Sequence, residues 1–338
     1  MKRHLYWLLL ASLLFWQCER IFMEKDPVND PVTNFDYLWQ ELDEKYSFFA
    51  YKGVDWDATY QLYRPQVSND MSREELFYLM GDLLNTLEDG HVNLRSEFDV
   101  TKYLDYYLTR PRNFNFHLIE KNYLTKDWQG LFPLLINDLG DSIGYISYRS
   151  FQSAIADDDL DRALTRFQDM KGLIIDVRDN EGGDPANGFK LIRRLADERR
   201  LVYYNSWKSG PGPDDFTTPE PTYLGPAEGD DVVRYQGPVA ILTNRFSYSA
   251  ASWFAVMGKA FPNITVVGDT TGGGAGVPSG SELPNGFWVN YSSSICTLPN
   301  GFIFEDGLPP DVQVDRDPLE EANGIDSIIE RAIEVLTQ

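Results

Sequence analysis

Two hydrophobic rhythms divide this 338-residue chain. From Asn34 to about Leu87 the apolar positions fall three and four apart, and Phe35, Leu38, Trp39, Leu42 and Tyr46 share one face of a predicted helix. A second, short helix is expected to begin near Asp55-Trp56. A third carries a full start signal: Ser72 and Glu75 form a capping box, and Met71 is placed to pack on Leu76 across the cap. Its apolar face runs through Leu79, Leu83 and Leu87 and stops at Glu88-Asp89-Gly90. This part reads as a small helical subdomain, residues 33–98.

Beyond about residue 131 the rhythm changes. Ile143 to Tyr148 reads as a strand and Asp159 to Met170 as an amphipathic helix. Leu173-Ile174-Ile175-Asp176-Val177 is a short apolar, β-branched run of the kind buried on both faces of a parallel sheet. A helix from about Pro185 to Ala196, a strand at Leu201 to Tyr204 and a second buried strand at Val239 to Thr243 follow. A helix from about Ala250 to Ala260 and a strand at Ile264 to Val267 complete the series. Repeated strand–helix–strand units predict an α/β core with a largely parallel sheet over residues 99–338. The Pro- and Gly-rich stretch from Gly210 to Gly229 reads as a surface loop.

The beginning of the chain belongs to neither rhythm. Lys2, Arg3 and His4 precede an apolar run from Leu5 to Trp16, shorter than the ~20 residues a membrane-spanning helix needs. That combination reads as an export signal over residues 1–18. Cys18 directly follows, where a bacterial lipoprotein signal places its lipidated cysteine, although Phe15-Trp16-Gln17 is bulkier than the usual preceding residues. The expectation is an exported protein, lipid-anchored through Cys18 to the periplasmic side or cell surface of a bacterial membrane. Residues 19–32, with Pro27 and Pro31, read as a tether. With Cys18 acylated, Cys296 is left as a small buried residue in a strand.

Composition narrows the function. A hydrophobic content of 43% is enough to bury a real core. The 52 acidic against 30 basic residues give a formal net charge of −22, which repels phosphate backbones and argues against nucleic-acid binding.

Three segments carry candidate chemistry. In Asp176-Val177-Arg178-Asp179-Asn180-Glu181-Gly182-Gly183 a buried strand runs into a glycine pair before a helix, a place where backbone N–H groups can cradle an anion or simply turn the chain. In Phe246-Ser247-Tyr248-Ser249-Ala250-Ala251-Ser252 a serine could stand exposed at a strand-to-helix turn, or serve as a helix cap. Asp89-Gly90-His91 sits just after a helix stop, where a side chain can be presented to a cleft or to solvent. Of the remaining histidines, His4 lies in the signal and His117 reads as structural.

Together these segments resemble the C-terminal processing peptidases, in the branch that includes tricorn protease and the retinoid-binding repeats of photoreceptor matrix. Asp176 to Gly183 is similar to the family's strand-and-glycine motif, and Phe246 to Ser252 to its serine motif. Asp89-Gly90-His91 matches the Asp-Gly-His motif, Val267 to Gly273 the following loop, and Glu305 through Pro310-Asp311 the late acidic motif. The resemblance spans roughly residues 34 to 335. It implies a crotonase (ClpP)-like α/β core and a serine-type peptidase acting on peptide or protein substrates, without metal or cofactor. It places Ser249 as nucleophile and His91 as general base, with Glu305 orienting His91 or holding the cleft. N–H groups of Ala250 and of Gly182 or Gly183 would form the oxyanion hole. Gly272-Gly273-Gly274 stands where the serine–lysine branch carries its lysine, so that dyad is not supported. About fifty residues separate His91 from the strand at Ile143, too few for a PDZ module. Two other readings use the same fold: a non-catalytic ligand- or peptide-binding protein, and a hydrolase of non-peptide esters.

Overall fold

The computed structural model describes residues 28–140 and 142–338, so the export signal and Cys18 lie outside the described residues. Helix α1 (Pro31–Lys45) starts with Pro31 in its first turn and Asp30 as its cap, the carboxylate accepting the Thr33 N–H at 2.9 Å. The helix therefore begins inside the stretch expected to be tether. Phe35, Leu38, Leu42 and Tyr46 are buried as the periodicity predicts. After α2 (Phe49–Lys52) comes α3 (Trp56–Tyr63), locked to α1 by Trp39 and Trp56, each indole N–H donating to the other's carbonyl at 3.1 and 3.0 Å. In α4 (Arg73–Asn85) both halves of the Ser72/Glu75 capping box form.

The chain then makes strands β1 (Asn93–Arg95) and β2 (Val100–Lys102), short helices α5 (Asp105–Leu108) and α6 (Phe116–Asn122), and strands β3 (Gln129–Leu131), β4 (Leu134–Leu139) and β5 (Ile143–Tyr148). Helix α7 (Asp157–Phe167), β6 (Gly172–Asp176), α8 (Pro185–Leu195), β7 (Arg200–Trp207), β8 (Glu220–Leu224), β9 (Val239–Thr243), α9 (Ala250–Gly258) and β10 (Ile264–Gly268) follow. Strands β11 (Pro278–Glu282), β12 (Trp288–Ser292), β13 (Ser294–Thr297) and β14 (Val312–Gln313) precede α10 (Pro318–Ala322) and α11 (Ser327–Thr337).

The central sheet has the order β14-β10-β9-β6-β5-β4-β3, parallel from β14 to β5 and antiparallel at the β4 and β3 edge. One row of its register reads Ile146, Ile175, Ile241, Val266 and packs under α7, α8 and α9. The alternate row, with Tyr145, Ile174, Ala240, Leu242 and Val267, packs under Ile328, Ile329, Ala332 and Leu336 of α11. Burial on both faces is why these strands read as unbroken apolar runs.

Two expectations change. The strand at Leu201 to Tyr204 is part of β7, which joins a separate antiparallel sheet ordered β13-β7-β8. Its partner β8 lies inside the stretch read as loop; Pro221 is tolerated there because β8 is an edge strand with free N–H positions on one side. A third sheet, β11-β12-β1-β2, pairs Asn93 with Asn290 and so ties the helical region to the C-terminal half. The β1–β2 hairpin crosses the expected boundary at residue 98.

One fully buried cation ties α11 to the C-terminal end of β6. Arg178 Nη2 lies 2.7 Å from Asp176, and its Nη1 donates to both oxygens of Asp326 at 3.0 Å. Burial works against its charge, but Asp176 and Asp326 more than offset this and hold it firmly protonated. Asp326 also caps α11 by accepting the N–H groups of Ile328 and Ile329. Asp326→Ala should cost about 3–5 kcal/mol, because it exposes a buried cation to partial desertion. Asp326→Asn keeps the cap acceptor and should lose less. Urea unfolding midpoints at unchanged slope measure both; wild-type stability in Asp326→Ala would refute the clamp.

Candidate active site

The C-terminal ends of β6, β9 and β10 deliver three loops to one point. Backbone bonds weave them together: Tyr248 N–H to Asn180 O at 3.0 Å, Ser249 N–H to Gly273 O at 2.9 Å, and Gly272 N–H to Ser247 O at 2.9 Å. At the crossing Ser249 has φ of 52°, unusual for a residue with a side chain. It precedes α9 but makes no side-chain cap. Its Oγ instead lies 2.9 Å from Nε2 of His91. The other serines of the motif face inward: Ser247 Oγ donates to Val177 O at 2.8 Å, and Ser252 Oγ to Ser247 O at 2.8 Å.

His91 reaches Ser249 because the turn after α4 is held from beneath. Asp89 is buried; one carboxylate oxygen accepts the His91 N–H at 2.7 Å, and the other accepts the hydroxyls of Tyr46 at 3.1 Å and Ser292 at 2.9 Å. Gly90 is required for the approach, since a Cβ there would sit 2.7 Å from the Tyr248 hydroxyl oxygen. The ring of Tyr248 lies 5.0 Å from that of His91 and stacks on Tyr106 at 4.6 Å. Nδ1 of His91 is buried and has no hydrogen-bond partner among the described residues.

Glu305 is also buried, but it bonds to Ala275 N–H at 2.8 Å rather than to the His91 ring. Its backbone carbonyl accepts the Gly274 N–H at 3.0 Å, and Lys52 Nζ stands 3.7 Å from its free oxygen. Of its two expected roles, the contacts are those of holding the cleft wall. Burial, then the neighbouring charge of Asp89, pushes its carboxyl well above the usual range despite Lys52.

The glycine pair divides unequally. The Gly182 N–H is spent on Asn180 Oδ1 at 2.9 Å, which removes Gly182 from the expected oxyanion donors. The N–H groups of Gly183 and Ala250 have no partner among the described residues, and both residues line the same cavity as Ser249. Gly183 has φ of 134°, and a Cβ would lie 2.3 Å from Gln152 N. Asn244 carries a further bracing role that the motif reading missed. Its Oδ1 accepts the N–H groups of Asp179 and Phe246, and its Nδ2 donates to Asp179 Oδ1 and Arg112 O. An asparagine directly after a buried strand was the available signal.

Outside the site, Cys296 is buried in β13 as expected, with burial raising its thiol pKa. His117 is exposed on α6, near Glu120, and has no structural packing role. No group of three or more His, Cys, Asp and Glu is arranged to hold a metal among the described residues.

The family model for peptidase family S41 matches residues 142–314, and that for the tricorn protease C1 domain matches residues 27–85. A crystal structure of a candidate peptidase from Parabacteroides merdae ATCC 43184 is 41% identical, with 92% of this chain and 98% of that one covered at a TM-score of 0.86. Mature CPAF complexed with lactacystin shares the fold at 13% identity, covering 91% of this chain and 97% of that one, with a TM-score of 0.69. The carboxy-terminal processing protease CtpB of Bacillus subtilis (strain 168) is 26% identical over 187 residues, which is 52% of this chain and 34% of CtpB. The chain thus spans about a third of the length of the curated relatives it matches.

Burial lowers the His91 pKa below its ordinary value; the Asp89 charge opposes this and Lys102 adds to it. The ring is therefore neutral at neutral pH, with Nε2 able to accept a proton. An NMR titration should give a His91 midpoint below about 6.5. Asp89→Asn removes the charge that favours the imidazolium, so the midpoint should fall further; an upward move would refute this account of the ring's surroundings.

Proposed function

We propose that this chain, which belongs to peptidase family S41, hydrolyses peptide bonds in protein or peptide substrates with Ser249 as nucleophile and His91 as general base. The observation that carries the reading is the 2.9 Å contact between Ser249 Oγ and His91 Nε2, made by residues 158 positions apart. That distance lies within the ~2.6–3.2 Å a proton transfer requires. Nε2 takes the hydroxyl proton as Oγ attacks the scissile carbonyl. The oxyanion then lies toward the unpaired N–H groups of Gly183 and Ala250, where one such donor is typically worth ~10²–10³ in turnover. The imidazolium passes its proton to the leaving amine, and the buried Asp89 charge favours that protonated form. Water then attacks the acyl-enzyme with His91 as base again, which releases the new carboxyl terminus and restores Ser249. Glu305 serves by fixing Gly274 and Ala275, the former beside the His91 ring. Whether the cut is internal or at a carboxyl terminus is a property of the substrate path rather than of this dyad.

The alternatives separate cleanly. A serine-directed phosphonate should label wild type and not Ser249→Ala, and peptide turnover should vanish in Ser249→Ala. His91→Ala should keep the wild-type circular dichroism and lose ~100-fold or more in turnover. Absence of label in wild type favours the binding-protein reading, whereas label with turnover of esters alone favours the esterase.

We propose further that the protein is exported and anchored by a lipid on Cys18. Support comes from Lys2-Arg3-His4, the apolar run to Trp16 and the cysteine that follows. The mature protein should begin at Cys18, carry acyl mass and partition into detergent. A free amino terminus at that position would remove the anchor and leave export standing.

A further inference from the structure

A cavity of about 520 Å³ opens beside Ser249, within the range typical of small-molecule sites. Gly183, Ser249 and Ala250 form one end of its wall, so it adjoins the nucleophile and both unpaired N–H groups. His91 is not part of that wall. During acylation the carbonyl oxygen must lie at the N–H groups and the leaving amine beside His91. A pocket that touches the first and not the second therefore belongs to the acyl half of the substrate.

The rest of the wall is mostly apolar. Phe189, Tyr203, Pro221, Trp253 and Val277 face it, Asn205 and Thr222 add neutral polar groups, and the one carboxylate along it is the exposed Glu220. Trp253 is fixed from two sides: its indole N–H donates to Gly274 O at 3.1 Å, and its ring meets that of Tyr203 edge-on at 4.8 Å. It stands one helical turn after Ser249, its own N–H bonded to Ser249 O at 2.9 Å. The aromatic floor and the nucleophile thus keep a set spacing. No cation lines the cavity to compensate a buried carboxylate, and such an uncompensated charge is strongly disfavoured.

We propose that this cavity receives the side chain of the residue whose carbonyl Ser249 attacks, and that it selects large apolar or aromatic residues over alanine and against aspartate. The proposal rests on the peptidase reading and names the substrate class of the same site. A hydrophobic pocket separates apolar side chains by ~10-fold per lost methylene-sized contact or more.

The test uses the full mature protein and a peptide series that varies only at the residue before the scissile bond, with cleavage positions read by mass spectrometry. Phenylalanine or leucine should exceed alanine by ~10-fold or more in kcat/KM, with aspartate lowest. Val277→Phe, which fills the cavity from its wall, should reduce the phenylalanine-to-alanine ratio by ~10-fold or more. Because that readout is a ratio within one variant, partial loss of folded protein does not mimic it. Ser249-dependent cleavage with no preference at this position, or with the apolar preference after the scissile bond, overturns the pocket assignment and leaves the peptidase standing. No Ser249-dependent cleavage of any peptide overturns both.

Discussion

Everything at this site depends on holding Ser249 in a backbone conformation it would not adopt alone. A non-glycine residue in such a region costs on the order of 1–3 kcal/mol and persists only where its surroundings over-determine it. Here the surroundings are backbone. Tyr248 is bonded to Asn180, Ser249 to Gly273 and Ser247 to Gly272, so the turn is tied on both sides of Ser249. The weave works because the chain on each side is glycine: a Cβ at Gly273 would lie 1.8 Å from Glu305 O, and one at Gly182 2.8 Å from Ala250 N. The glycine motifs are thus the steric condition for bringing separate loops within hydrogen-bond reach of one another.

The second condition is electrostatic, and the two buried carboxylates beneath the site meet it differently. Asp89 receives three hydrogen bonds, from His91 N–H, Tyr46 and Ser292. Glu305 receives one from Ala275 and faces Lys52 only at 3.7 Å. Burial and the charge of Asp89 both oppose ionisation of Glu305 and outweigh Lys52, so the site favours Glu305 as a neutral acid. That leaves Asp89 as the negative charge available to the imidazolium, although it touches the His91 backbone rather than its ring.

How much of this was legible follows from the range of each interaction. The Ser72 capping box, the β6 and β9 runs and the Pro185 helix start are decided within a few residues, and the structure has all of them. The sheet containing β1 and β12 is decided by pairing across nearly two hundred positions, Asn93 with Asn290, between strands of three and five residues. Neither strand has a periodicity long enough to announce itself. Strand β8 was hidden for another reason: Pro221 lowers its strand signal, yet an edge position needs no N–H there.

The glycine pair shows the same limit at the scale of a single atom. Sequence order alone makes Gly182 and Gly183 equivalent donors beside a strand end. What separates them is the Asn180 side chain, two positions back, which folds over to take the Gly182 N–H and donates its own amide to Tyr148 O at 2.7 Å. With both ends satisfied, Asn180 is a fixed brace and cannot release Gly182 without stranding a buried polar group. The N–H left free is therefore that of Gly183, which lines one cavity with Ala250 and has a φ of 134° that admits only glycine. A motif names the residues able to do this work; the hydrogen bonds already spent decide which of them is free to do it.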